Sequence, residues 1–164
     1  MLKIIQHVSN AGQPDDVTVT LTFEQRQRSR ARLQLDDGNE AALFLPHGTV
    51  LRDGDLLIAR EGNRIRVRAA AEPVSTVSIG DPVALARLCY HLGNRHVGLQ
   101  ISRVWIRYQH DHVLDELVRK LGMTPTLESA PFEPEFGADH ARQRGSSTTG
   151  GAHRAQAVKR WQES

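Results

Sequence analysis

Along the first seventy residues, apolar and polar side chains alternate. Val17-Thr18-Val19-Thr20-Leu21-Thr22 does so cleanly, as do Leu33 and Leu35 about Gln34, and Ile65, Val67 and Ala69 against Arg64, Arg66 and Arg68. A period of two predicts strands with one buried face. Asp36-Asp37-Gly38, Pro46-His47-Gly48, Asp53-Gly54-Asp55 and Glu61-Gly62-Asn63 each supply a residue that tolerates positive φ at a reversal. Short strands at this spacing, with no helical window, predict a small all-β sandwich or barrel. Arg26, Arg28, Arg30 and Arg32 recur at every second position, so a strand there presents all four on one face. The plainer reading is a solvated edge that charge defends against strand-to-strand aggregation; the sharper one is a stripe for an anion or acidic partner.

Ala70-Ala71-Glu72-Pro73-Val74 reads as a linker, because proline removes a ladder donor. Beyond it the period changes. A short strand over Thr76–Ile79 precedes Asp81-Pro82, an N-cap carboxylate followed by proline at the first helical position. Leu85, Leu88, Cys89 and Leu92 then follow at i, i+3, i+4 and i+7, and Gly93-Asn94 offers a left-handed helix end, with His96 at or just beyond it. Leu99–Ile101 and Val104–Tyr108 suggest a hairpin. Asp111 caps a second helix carrying Leu114, Leu117, Val118 and Leu121 before Gly122, and Thr124–Phe132 is an extended segment. The two helices echo each other at a constant offset of 29 residues.

The order strand, helix, strand, strand, helix, strand predicts a ferredoxin-like βαββαβ arrangement. The expected class is therefore α+β: an all-β domain over 1–72, a ferredoxin-like domain over 73–136, and a disordered tail over 137–164. The tail contains Gly145-Ser146-Ser147-Thr148-Thr149-Gly150-Gly151, with too little apolar surface to offset the entropy of ordering.

Charge sharpens this division. Residues 1–136 hold 16 Lys/Arg and 17 Asp/Glu, whereas 137–164 hold 5 and 2, so the basic pI of 9.0 comes from the tail. A near-neutral folded part weakens a phosphate-binding reading. The start, Met1-Leu2-Lys3-Ile4-Ile5-Gln6-His7, lacks the apolar run of a signal peptide, and no stretch approaches the roughly 20 apolar residues that span a bilayer. A cytoplasmic location is expected. The single cysteine, Cys89, excludes an internal disulfide or a cysteine zinc cage and is expected to be a buried, inert thiol. Paired carboxylates at Asp15-Asp16 and Asp36-Asp37 fall in turns, where solvation explains them, and no catalytic constellation stands out.

The candidate chemistry lies in histidine. Half of the eight histidines fall between Tyr90 and His112. Imidazole suits Zn, Cu and Ni, so such a local excess raises a nitrogen-rich metal site, against the plainer reading of each His as a cap or a satisfied core group. His110 and His112 face the same way if the backbone between them is extended, and diverge by about 200° on a helix. His96 has no close histidine partner in one chain; a two-fold axis would bring two copies to one exchangeable ion. His91 sits on a helical turn and reads as structural.

Tyr90-His91-Leu92-Gly93-Asn94-Arg95-His96-Val97-Gly98-Leu99-Gln100-Ile101, His110-Asp111-His112-Val113-Leu114 and Ala130-Pro131-Phe132-Glu133-Pro134-Glu135-Phe136-Gly137-Ala138 together closely resemble the urease accessory protein UreE family of nickel metallochaperones. Leu43–Asp55 resembles the family's N-terminal domain, and the likeness extends to about residue 138. The resemblance implies a cytoplasmic homodimer joined through its C-terminal domains, with His96 and its symmetry mate on the principal Ni(II) ion and secondary contacts at His110 and His112. It implies a peptide-binding-like N-terminal domain, partners in the urease apoprotein and the accessory GTPase, and Ni(II) as cargo, with Zn(II) or Cu(II) as competitors in vitro. The tail departs from the dense histidine tail of many members, offering only His140 and His153. Neither an enzyme, nor nucleic-acid binding, nor a membrane is expected. The alternative is an RNA- or ribosome-associated module, which a β domain followed by a ferredoxin-like one would also suit, although the strands lack the aromatic signature that stacks bases.

Overall fold

The structure, a computed structural model, describes residues 1–9 and 17–135. The expected tail over 137–164, with His140 and His153, lies outside the described residues, as do Asp15 and Asp16. The chain is α+β, built on two sheets. The first holds β1 (Leu2–Val8), β2 (Val17–Leu21), β3 (Arg30–Gln34), β4 (Glu40–Phe44), β5 (Leu56–Ala59) and β6 (Arg64–Ala69), in the order β2-β6-β5-β1-β4-β3. The pairs β2/β6 and β1/β4 are parallel and the others antiparallel. Alternating residues of these strands enter one core, including Ile4, Val19, Leu33, Leu43, Leu57, Ile65 and Val67. The alternation legible in the sequence is thus the inward face of this sheet. Gly38, Gly48, Gly54 and Gly62 take positive φ at the four expected reversals.

The two edge strands of this sheet are tied to each other by Asp36, at the end of β3. Its backbone N–H donates to Thr18 O (2.9 Å), and its carboxylate accepts from Thr20 N (3.0 Å) and from the hydroxyls of Thr18 and Thr20. Burial raises the Asp36 pKa, but the hydrogen bonds from Thr18 and Thr20 and the charge of Arg68 together hold it below its ordinary 3.8. A carboxylate lowered in the folded state stabilises above the unfolded pKa, and that contribution is lost as pH falls through the folded one. Joint replacement Thr18→Val and Thr20→Val is therefore expected to flatten the loss of stability between roughly pH 5 and pH 3, read from denaturant midpoints.

The arginine stripe is not a strand face. Thr22 and Gln25 form a capping box that starts a short helix, α1 (Phe23–Arg26), inside the region read as lacking helices. Arg30 and Arg32 do lie on the exposed side of an edge strand, β3, as the edge reading required. Arg26 instead is fully buried. Its Nη1 donates to Leu51 O (3.3 Å) and to Glu133, and its Nη2 to Phe132 O, while Nε has no partner among the described residues. Arg52 grips the same segment through Glu133 (3.2 Å) and Pro134 O (2.8 Å), and the Phe23 ring meets Phe132 edge-on at 5.4 Å.

The second sheet holds β7 (Ala71–Ser78), β8 (Gln100–Ile101), β9 (Trp105–Gln109) and β10 (Thr126–Pro131), in the order β10-β7-β9-β8 with all pairs antiparallel. Helices α2 (Pro82–Gly93) and α3 (His112–Lys120) pack through Leu88, Leu92 and Val118 on one core with Val77, Ile106 and Tyr108. The expected linker is strand: only Ala70 separates β6 from β7. Pro73 is tolerated within β7 because its nitrogen faces the place where β9 has ended, its carbonyl accepting from His110 N (3.1 Å) just past Gln109.

After β10 the chain runs back across the β8 edge. Glu133 N donates to Gln100 Oε1 (3.1 Å) and Glu135 N to Leu99 O (2.7 Å), and a Cβ on Gly98 would stand 3.4 Å from Pro134. Residues 132–135 thus bridge the buried Arg26 of α1 and the segment just after His96.

Candidate metal centre

Each candidate histidine is placed by a helix boundary. Helix α2 begins as the sequence requires, with the Asp81 carboxylate accepting from Val83 N (3.0 Å) and Ala84 N (3.2 Å) and Pro82 following. Its end differs from expectation. Neither Gly93 nor Asn94 takes the left-handed conformation; among the described residues His96 is the one non-glycine with positive φ, at 57°. Val97 N donates to Leu92 O (3.3 Å) and His96 N to Gly93 O (2.9 Å), the paired bonds of a Schellman motif with His96 at its left-handed position. Val97 and Leu92 meet in the core below, the apolar contact that accompanies this motif.

Helix α3 ends in the same motif. Met123 N donates to Val118 O (3.1 Å) and Gly122 N to Arg119 O (2.9 Å), with Gly122 at φ 82°. The residue equivalent to Gly122 is therefore His96, not Gly93, and the 29-residue echo in the sequence does not mark the helix ends. A side chain with a Cβ costs about 1–2 kcal/mol in this conformation, although His accepts it more readily than most. The geometry holds the exposed imidazole of His96 on a fixed turn. His91, one turn earlier, lies edge-on to Tyr90 with ring centroids 5.5 Å apart.

The backbone between His110 and His112 is extended, the condition under which the two can act together. Asp111 has φ −149° and ψ 125° and caps α3, accepting from Val113 N (2.8 Å) and Leu114 N (3.1 Å). Those two backbone donors, first Leu114 and then Val113, hold the Asp111 carboxyl below its ordinary value, and the neighbouring histidines act in the same direction. His112 is exposed at the first position of the helix. His110 Nδ1 lies 3.0 Å from Ser75 Oγ and 3.5 Å from Asp115 Oδ2, which leaves Nε2 on the open side.

Asp115, Tyr108 and Ser75 are functional neighbours that sequence reasoning missed. Asp115 is buried, accepts from Tyr108 OH (2.7 Å) and has Arg119 at 3.8 Å. A carboxylate at a position otherwise facing a helix core was the available signal. Burial, then the bond to Asp115, pushes the Tyr108 phenol well above its ordinary value, so it remains a donor. Among the described residues no three His, Cys, Asp or Glu side chains converge on one point. The described part of one chain thus offers imidazoles in ones and twos, and a metal ion there would draw its remaining ligands from water or another molecule.

Residues 1–70 match the family model for the UreE urease accessory protein, N-terminal domain, and residues 72–159 that for the UreE urease accessory protein, C-terminal domain. Among curated relatives, the urease accessory protein UreE of Alkalilimnicola ehrlichii is 55% identical over 138 residues, covering 84% of this chain and 84% of that protein. The protein of the same name from Proteus mirabilis is 52% identical over 122 residues, 74% of this chain and 76% of its own length. That from Pseudomonas putida strain F1 is 56% identical over 129 residues, 78% and 77%.

Proposed function

This chain belongs to the UreE family of urease accessory proteins, a role in urease maturation and not a catalytic one, and from that premise we propose that it is a nickel carrier delivering Ni(II) to apo-urease. The observation that carries the reading is His96, an exposed imidazole at a helix end where glycine serves the backbone better. A residue retained against local conformational preference points to use of its side chain. His110, with Nδ1 engaged and Nε2 open, and the adjacent His112 supply further nitrogens.

A carrier must release its ion, so ligands drawn from a shared surface suit it better than a closed cage. We assign His96 and its copy in a second chain to the principal ion, with His110 and His112 as secondary donors. An apolar stripe on α2, exposed at Val83 (65%) and Tyr90 (66%) with Ala86 between them, supports a homodimer through this half of the chain. The proposed partners are the urease apoprotein and the accessory GTPase, in the cytoplasm; no helix among the described residues is long and apolar enough to cross a membrane. Zinc and copper would compete for the same nitrogens, copper more tightly. An RNA-associated role has less support, because the Trp105 ring is covered by Arg107 (4.8 Å), itself tied to Glu128 and Thr76.

In cells lacking this protein, urease polypeptide is expected to accumulate nickel-poor, with activity partly restored by excess nickel in the medium. The unaltered chain should restore activity at limiting nickel and His96→Ala should not. Equal restoration by both would overturn metal delivery through His96. Light scattering should give a dimer at micromolar concentration, and a monomer with and without nickel would remove the shared site.

A further inference from the structure

The polar residues behind His110 are buried, and one of them is a carboxylate. Asp115, as a carboxylate with Arg119 beside it, can only accept, so the Tyr108 hydroxyl spends its one proton there at 2.7 Å. Ser75, paired with Tyr108 across β7 and β9, places its Oγ 3.0 Å from His110 Nδ1. A hydroxyl can accept from Nδ1–H or donate to a bare Nδ1, so Ser75 fits either tautomer. The carboxylate decides between the two: Asp115 Oδ2, 3.5 Å from the same nitrogen, favours a proton there, and Ser75 then accepts. Ser75 and Tyr108 are fully buried and Asp115 is 5% exposed, so water does not compete for these bonds.

We infer that Asp115, by its charge beside Nδ1, is a positioning residue that fixes His110 in the Nδ1–H tautomer and presents the Nε2 lone pair outward as a metal ligand. The metal half of this inference rests on the carrier reading above; the tautomer half does not. A ligating imidazole needs its second nitrogen held in this way, and loss of such a partner lowers metal affinity by about 10–100-fold. That role accounts for a carboxylate on the core side of α3, where its face otherwise carries Leu114, Leu117 and Val118.

Long-range ¹H–¹⁵N correlation spectra of the metal-free protein report the tautomer of each histidine directly. His110 should be Nδ1–H in the unaltered protein. In Asp115→Asn the charge is gone and the side-chain amide can donate to Nδ1, which should shift His110 toward Nε2–H; in Ser75→Ala the carboxylate remains and His110 should stay Nδ1–H, with His112 as it was in both. Nickel titration should then show the ions lost in His110→Ala binding about 10–100-fold more weakly in Asp115→Asn. An Nε2–H tautomer in the unaltered protein or in Ser75→Ala, or a tautomer unmoved in folded Asp115→Asn, would overturn the inference. Should Asp115→Asn fail to fold, Ser75→Ala and the unaltered spectrum still decide it. A tautomer that shifts while Asp115→Asn and His110→Ala both leave nickel binding unchanged would sink the ligand role of His110, and the carrier reading at that residue, while the positioning stands.

Discussion

His96→Gly is expected to remove the tightest nickel binding and, at the same time, to make the fold more stable. The left-handed turn at φ 57° is one that glycine adopts without the clash a Cβ brings, so the substitution should gain about 1 kcal/mol in chemical denaturation. Nickel affinity at the principal ion should fall by at least ~100-fold, since losing merely a group that orients a ligand costs up to that much. His96→Ala separates the two effects: it loses the same nickel but keeps the strained backbone, so its stability should not rise. His91→Ala should leave the nickel isotherm nearly unchanged. Stability that falls in His96→Gly would show that the turn is not strained, and retained nickel would show that the wrong histidine carries the ion.

The second large effect is expected at Arg26. Arg26→Ala leaves the carbonyls of Leu51 and Phe132 without their donor, opens a void at a fully buried position and abandons half of the grip on Glu133. Glu133 is itself 25% exposed and keeps Arg52, so the cost should sit near the lower end for a broken buried pair, about 3 kcal/mol. That is roughly 10 °C in melting temperature for a chain of this size. Arg26→Lys should recover only part of it, because one ammonium cannot meet three acceptors in a fork. A melting temperature within a degree or two of the unaltered protein would mean that residues 132–135 do not depend on Arg26.

How far the sequence could be read depended on how local each feature was. Asp81 and Asp111 announce their helices because a cap bonds backbone groups two and three residues on. The inward residues of the first sheet were legible because alternation is a property of each strand alone. The end of α2 was misread for the same reason: glycine is the usual left-handed residue, so Gly93 drew the assignment, and only the bonds of His96 and Val97 show where the helix closes. Arg26 was hidden because a buried guanidinium is explained by acceptors at Phe132 and Glu133, more than a hundred residues away. The support behind His110 was likewise out of reach, since Ser75 stands 35 residues before it and is brought alongside only by the pairing of β7 with β9.

The Arg26 contact also sets an order of assembly. The first core is made entirely from residues between Leu2 and Val67, so it can close while the rest of the chain is still being synthesised. Glu133 follows Arg26 by 107 residues, which at 5–20 residues per second is a delay of about 5–20 s. Throughout that interval the guanidinium must remain hydrated, and the first half of the protein is a nascent intermediate with one open, cationic socket. The β7–β10 ladder, which pairs Ala71 with Pro131, closes only then as well. The segment over 132–135 therefore acts as a latch, and a ribosome paused before Glu133 should hold a chain whose first half is folded but still vulnerable to protease around Arg26.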